Sequence, residues 1–143
     1  VVVDGYLGIS MKKLILFIIP IFLMSFSASS KFKDTAYAKT NAKDRIFIVS
    51  FDYNKTNSKE ALQYAKSKAN TTGKMTSVYF FHKNDKMPLS GFSSIKDLFK
   101  ANYILYDSGI VDEWKYAYVK YRNGQYQFVD CTKEKGTGLC QGE

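Results

Sequence analysis

The residue types able to do chemistry are few in this chain, and they lie far apart. His82 is the only histidine. It stands in His82-Lys83-Asn84-Asp85, just past an apolar run. A histidine titrates near neutrality and can move protons. The carboxyl end of a parallel strand is where α/β proteins often place ligands. Ser50 or Ser90 with Asp52 or Asp85 has the composition of a Ser-His-Asp set, but no serine sits in a G-x-S-x-G turn. His82 stands as the candidate catalytic residue of a small secreted hydrolase, one of two alternatives to a non-enzymatic role.

Two other patterns resemble sites. Asp52, Asn54, Thr56, Ser58 and Glu60 alternate oxygen ligands as a calcium loop does, but the central glycine is missing and Gln63 stands where the bidentate glutamate belongs. Helix capping accounts for the same residues. Cys131 and Cys140, the two cysteines, enclose a glycine-bearing tail. In an exported chain such a pair forms a disulfide. The C-x-x-C spacing of a redox catalyst is absent, and two thiols with one distant histidine do not make a zinc set. No metal and no cofactor is expected.

A binding surface has a better sequence basis. Lys115, Tyr116, Tyr118, Lys120, Arg122 and Tyr126 put basic and aromatic side chains on a hairpin. Tyr116, Tyr118 and Lys120 follow at i, i+2 and i+4, so they share one face of a strand. Aromatics with lysines can hold sugars, single-stranded bases or anionic groups. Export disfavours nucleic acid, so the expected partner is a protein or an anionic envelope component. The competing reading is a half-buried strand whose tyrosines belong to the core.

The elements that must position these residues begin at Arg45. Ile46 to Phe51 is apolar nearly throughout, the pattern of a central strand covered on both faces. Asn57 with Glu60 marks a capping box. Ala61, Leu62, Ala65 and Ala69 give the apolar stripe of a helix over 58–72, with Gly73 as its C′ stop. Met75 to Phe81 is the next strand, and a helix between two strands is the length a parallel crossover needs. Ser94 with Asp97 caps a short helix near 95–101, and Tyr103 to Tyr106 reads as a third strand. Trp114 to Tyr121 and Tyr126 to Cys131 form a hairpin whose Asn123-Gly124 predicts a type I′ turn. This order of elements lacks the paired active-site cysteines of thioredoxin-like folds and the second long helix of ferredoxin-like folds, so it assigns the chain to neither.

Upstream, Lys12 and Lys13 precede the apolar run Leu14 to Phe26, the layout of a secretory signal peptide. The run is too short to span a bilayer. Ser27-Ala28-Ser29 and Ala36-Tyr37-Ala38 are the two candidate exits, and the second fits the A-x-A rule better. Residues 1–10 read as an upstream start, 11–38 as the leader, and 39–143 as a single exported domain.

The chain has 143 residues, 45% of them hydrophobic and 16% aromatic, enough for one globular core. The formal charge is +8, partly from lysines in or beside the leader. The expected fold is α+β or a small α/β sandwich: a mixed sheet of four to five strands, one main helix, a C-terminal hairpin and a disulfide-closed tail. The expected function is a small exported non-enzymatic binding or accessory protein of the bacterial envelope, such as part of a secretion or conjugation apparatus, in the periplasm or outside the cell. The second alternative, beside the hydrolase, is a secreted inhibitor or toxin-like effector.

Overall fold

The computed structural model describes residues 30–89, 91–106, 111–136 and 138–141. A mixed five-stranded sheet runs in sequence order: β1 (Phe32–Lys39), β2 (Arg45–Phe51), β3 (Thr76–His82), β4 (Tyr116–Lys120) and β5 (Tyr126–Asp130). β2 and β3 are parallel; the other neighbours are antiparallel. The expected α+β class, mixed sheet and crossover are all present.

Alternation along the strands sends side chains to two cores. Phe47, Val49 and Phe51 of β2 join Val78 and Phe80 of β3 under the helix α1 (Ser58–Lys68), against Ala61 and Ala65. Ile46, Ile48, Tyr79 and Phe81 face the other way, toward the helix α2 (Leu98–Tyr106) and Trp114. This is why β2 and β3 read as unbroken apolar runs.

The α1 capping box forms as expected. Glu60 N–H donates to Asn57 Oδ1 at 3.0 Å, and Asn57 N–H donates to Glu60 Oε2 at 3.1 Å. The far end differs from the 58–72 helix and the Gly73 stop. α1 ends at Lys68 with Ala69 as its C-cap, and Gly73 supplies its positive φ later, in the turn into β3. Two cations take the last carbonyls: Arg45 Nη2 donates to Lys68 O at 2.9 Å, and Lys120 Nζ donates to Ala69 O at 2.8 Å. Both also complement the negative end of the helix.

Three further expectations are corrected. Tyr103 to Tyr106 is not a strand but the last turn of α2, because Leu98, Ala101 and Leu105 place one apolar face on the sheet at helical spacing. Its N-terminal cap is Asp97 rather than Ser94: Lys100 N–H donates to Asp97 Oδ1 at 2.9 Å. The hairpin turn is not type I′, since only Gly124 has positive φ. Gly124 N–H donates to Tyr121 O at 3.0 Å and Tyr121 N–H to Gln125 O at 2.8 Å, the three-residue loop with a glycine bulge.

The largest difference is β1. Residues 1–29 lie outside the described residues, and with them most of the expected leader. Residues 32–39 pair with β2 from Phe32↔Phe51 to Lys39↔Arg45, and Ala38 is fully buried. The folded unit therefore starts before residue 39, and Ala36-Tyr37-Ala38 lies inside a strand. The polar content of Lys33, Asp34 and Thr35 hid that strand; it is an edge strand with a bulge between Asp34 and Ala36, where charge is tolerated.

The tail closes as expected. Cys131 and Cys140 are disulfide-bonded, with Cα atoms 5.4 Å apart. Trp114 Nε1 donates to Leu139 O at 2.9 Å, so the tail also covers the indole. No helix among the described residues is long and apolar enough to cross a membrane.

Candidate functional site

The hairpin residues do not share a solvated face. Tyr116 and Tyr118 point to the α1 side and are 3% and 2% exposed. Tyr116 packs on Phe51, Phe80 and Phe128; Tyr118 stacks on Tyr126. Burial pushes the Tyr116 phenol up to about 12, with the nearby charge of Asp130 adding to it. The parity that groups Tyr116, Tyr118 and Lys120 is real, but it groups them on the face that α1 covers. The small alanines of α1 leave room there for the rings. Lys120 ends on α1 carbonyls, and Lys115 pairs with Asp85 at 3.5 Å. Arg122 is drawn to Asp44. Tyr126 is half-exposed with the Lys66 ammonium 4.5 Å above its ring. These contacts place Tyr116 and Tyr118 in the core, while Arg122 and Tyr126 keep exposed side chains.

His82 closes β3 opposite Phe51 of β2. Its Nδ1 accepts the Tyr53 N–H at 3.2 Å, which leaves the proton of the neutral ring on Nε2. Its backbone N–H donates to Asp85 Oδ2 at 2.8 Å. Among the described residues no hydrogen bond joins the ring to Ser50, Asp52 or Asp85; Ser90 lies outside them. The ring orders a strand end. Two of the oxygen ligands of the calcium-like stretch are engaged in caps: Asp52 accepts from Asn54 N–H, and Glu60 joins Asn57 in capping α1. No cluster of three or more metal-ligating side chains occurs among the described residues.

Two features that sequence reading missed remain. The first is a pocket. β2 and β3 are parallel, so their carboxyl ends share one edge of the sheet, and antiparallel β1 begins at that edge with Lys33 beside Ser50. There the chain leaves β2 through Asp52 into a 3-10 turn, Tyr53–Lys55. Lys31, Lys33, Lys55 and Lys83, with Ser50 and Thr56, line a pocket of about 350 Å³. Asp52 is the only carboxylate among the described residues of its wall. Lys83 donates to Asp52 at 2.8 Å and holds that carboxyl below its ordinary range. The Lys33 ammonium has no ion-pair partner among the described residues. Thr56 is buried, and its Oγ1 has no hydrogen-bond partner among the described residues. No sequence spacing announces this pocket, because its lysines come from three separate segments.

The second feature is the outer face of α2. Phe99, Tyr103 and Tyr106 follow at i, i+4 and i+7 and are 79%, 62% and 40% exposed. Phe99 and Tyr103 stand clear on the side away from Ala101 and Leu105, while Tyr106, at the end of this stripe, sets its ring against Trp114, with centroids 5.0 Å apart, and donates to Gly138 O at 3.5 Å. Lys96 and Lys100 stand exposed beside the stripe. Reading residues 103–106 as a strand concealed the stripe, since only helical spacing aligns these rings.

Fold and surfaces thus define a small, disulfide-closed α+β domain. No family model, no curated protein and no solved structure matches the chain.

Proposed function

We propose that this chain is a small exported, non-enzymatic binding or accessory domain of the bacterial envelope, docking on a protein partner through the outer face of α2. The observation that carries this reading is the Phe99–Tyr103–Tyr106 stripe. Contiguous exposed aromatics cost solubility and mark interaction sites, and aromatic side chains dominate interface hot spots. With Lys96 and Lys100 at its border, the stripe suits a partner with an apolar groove and an acidic rim. The leader pattern and the disulfide support export. The hydrogen bonding of His82 gives no support to the hydrolase alternative.

The test is affinity capture from the native envelope fraction with the wild-type protein and with Phe99→Ser/Tyr103→Ser. Both positions are exposed, so the variant should keep its unfolding midpoint. Species held by the wild type should vanish with the variant and persist with His82→Ala. An identical captured set for wild type and double variant would eliminate this surface.

A further inference from the structure

We propose that the lysine pocket at the carboxyl ends of β2 and β3 binds a phosphate group, presented as a mono- or diester. This site shares no residue with the α2 face and stands independently of it.

Charge is the first argument. Four lysines line the pocket; Asp52 is engaged by Lys83 at 2.8 Å and by Lys55 at 3.9 Å, Lys31 is paired with Glu60, and Lys33 has no ion-pair partner among the described residues. Like charges held around one cavity repel unless a counter-ion sits between them. A phosphate monoester brings up to about two negative charges to such a wall, and a diester brings one charge shared over two oxygens that can each face an ammonium group. Ammonium groups act as point charges and can meet a tetrahedral oxyanion from several sides.

Position and size agree. The pocket lies where parallel strands end, the usual ligand position in α/β sheets. Thr56 directly precedes the N-cap of α1, an 11-residue helix whose amino end carries partial positive charge. A volume of about 350 Å³ accommodates a phosphate with a glycerol- or sugar-sized attachment.

The Thr56 hydroxyl is the independent sign. It is a buried donor in the pocket wall with no acceptor among the described residues. Buried polar groups are nearly always satisfied, and an exception calls for a missing partner. A rotation about the Thr56 Cα–Cβ bond would turn this hydroxyl toward a phosphate oxygen seated in the pocket.

The test uses isotope-labelled protein purified from the exporting host. Inorganic phosphate, glycerol 3-phosphate and phosphatidylglycerol vesicles are added in separate titrations. Saturable amide shifts are expected around Ser50, Asp52, Thr56 and Lys83. Lys33→Ala/Lys55→Ala should weaken binding about tenfold or more. Lys33 makes no ion pair among the described residues and Lys55 only an exposed one with Asp52 at 3.9 Å, so an unchanged unfolding midpoint is expected and checks folding. Lys39→Ala/Lys59→Ala, outside the pocket, should leave affinity unchanged. Response to the two soluble probes alone assigns a free phosphoester; vesicle binding abolished by the pocket variant assigns a lipid headgroup. Either supports the site. No saturable shift with any probe, or an equal loss in the control variant, overturns it.

Discussion

Arg122, at the tip of the β4–β5 hairpin, closes on the carboxylate of Asp44, which is 1% exposed at the start of β2. Arg122 Nε reaches Asp44 Oδ1 at 3.3 Å while Met75 N–H donates to the same oxygen at 2.9 Å. One carboxylate thus ties the β1–β2 turn, the start of β3 and the hairpin tip. Burial pushes this carboxyl up, but the hydrogen bonds from Arg122 and Met75 and the charges of Arg122 and Lys74 outweigh it and hold it below its ordinary 3.8.

A folded-state value below the unfolded one means that stability from Asp44 is present above pH 3.8 and is lost as pH falls below it. Acid titration of the unfolding midpoint should show this loss in the wild type and a shallower one in Asp44→Ala. At neutral pH that variant leaves the Met75 N–H without its acceptor and should lose about 1–3 kcal/mol. Equal acid sensitivity in both proteins would remove Asp44 as its source.

Tyr118→Ala should destabilise the fold by about 3–5 kcal/mol, the range for emptying an aromatic site in a core. Denaturant unfolding measures it. A loss below about 1 kcal/mol, typical of surface positions, would return Tyr118 to the solvated face.

Replacing Cys131 and Cys140 by serine should cost about 2–3 kcal/mol, the range for a short closed loop. Freed from Cys131, the tail should also release Trp114, shifting its fluorescence to the red. Reductant should reproduce both effects in the wild type and neither in the variant.

Thr56→Val keeps the shape of the side chain and removes an unpaired buried hydroxyl. Ligand-free protein should become more stable by about 1 kcal/mol. A loss of stability would reveal a hydrogen bond made by Thr56 in solution.

Ending the leader at Ala38 would strip β1 from the sheet and uncover Phe47 and Val49 of β2. If the chain is exported and trimmed, mass spectrometry should therefore find a mature start before Phe32, consistent with the Ser27-Ala28-Ser29 exit. A mature chain beginning at Lys39 would contradict the sheet described above.

Local signals in the sequence determined β2, α1, β3, the hairpin and the Cys131–Cys140 bridge. Each is carried by neighbours in the chain: an apolar run, a capping box at Asn57 and Glu60, a glycine turn, two cysteines near each other. They also carried the α+β class, because a helix flanked by two apolar strands makes a parallel pair the natural outcome. The edge strand β1 escaped notice because an edge tolerates charge, and Tyr103 to Tyr106 misled because a short apolar run suits either period. Only the tertiary structure decided which strand face α1 covers, and with it whether Tyr116 and Tyr118 are core or contact. The same holds for the meeting of Lys31, Lys33, Lys55 and Lys83. Parity along a strand groups side chains but does not say what lies above them, and that depends on packing between segments far apart in the chain.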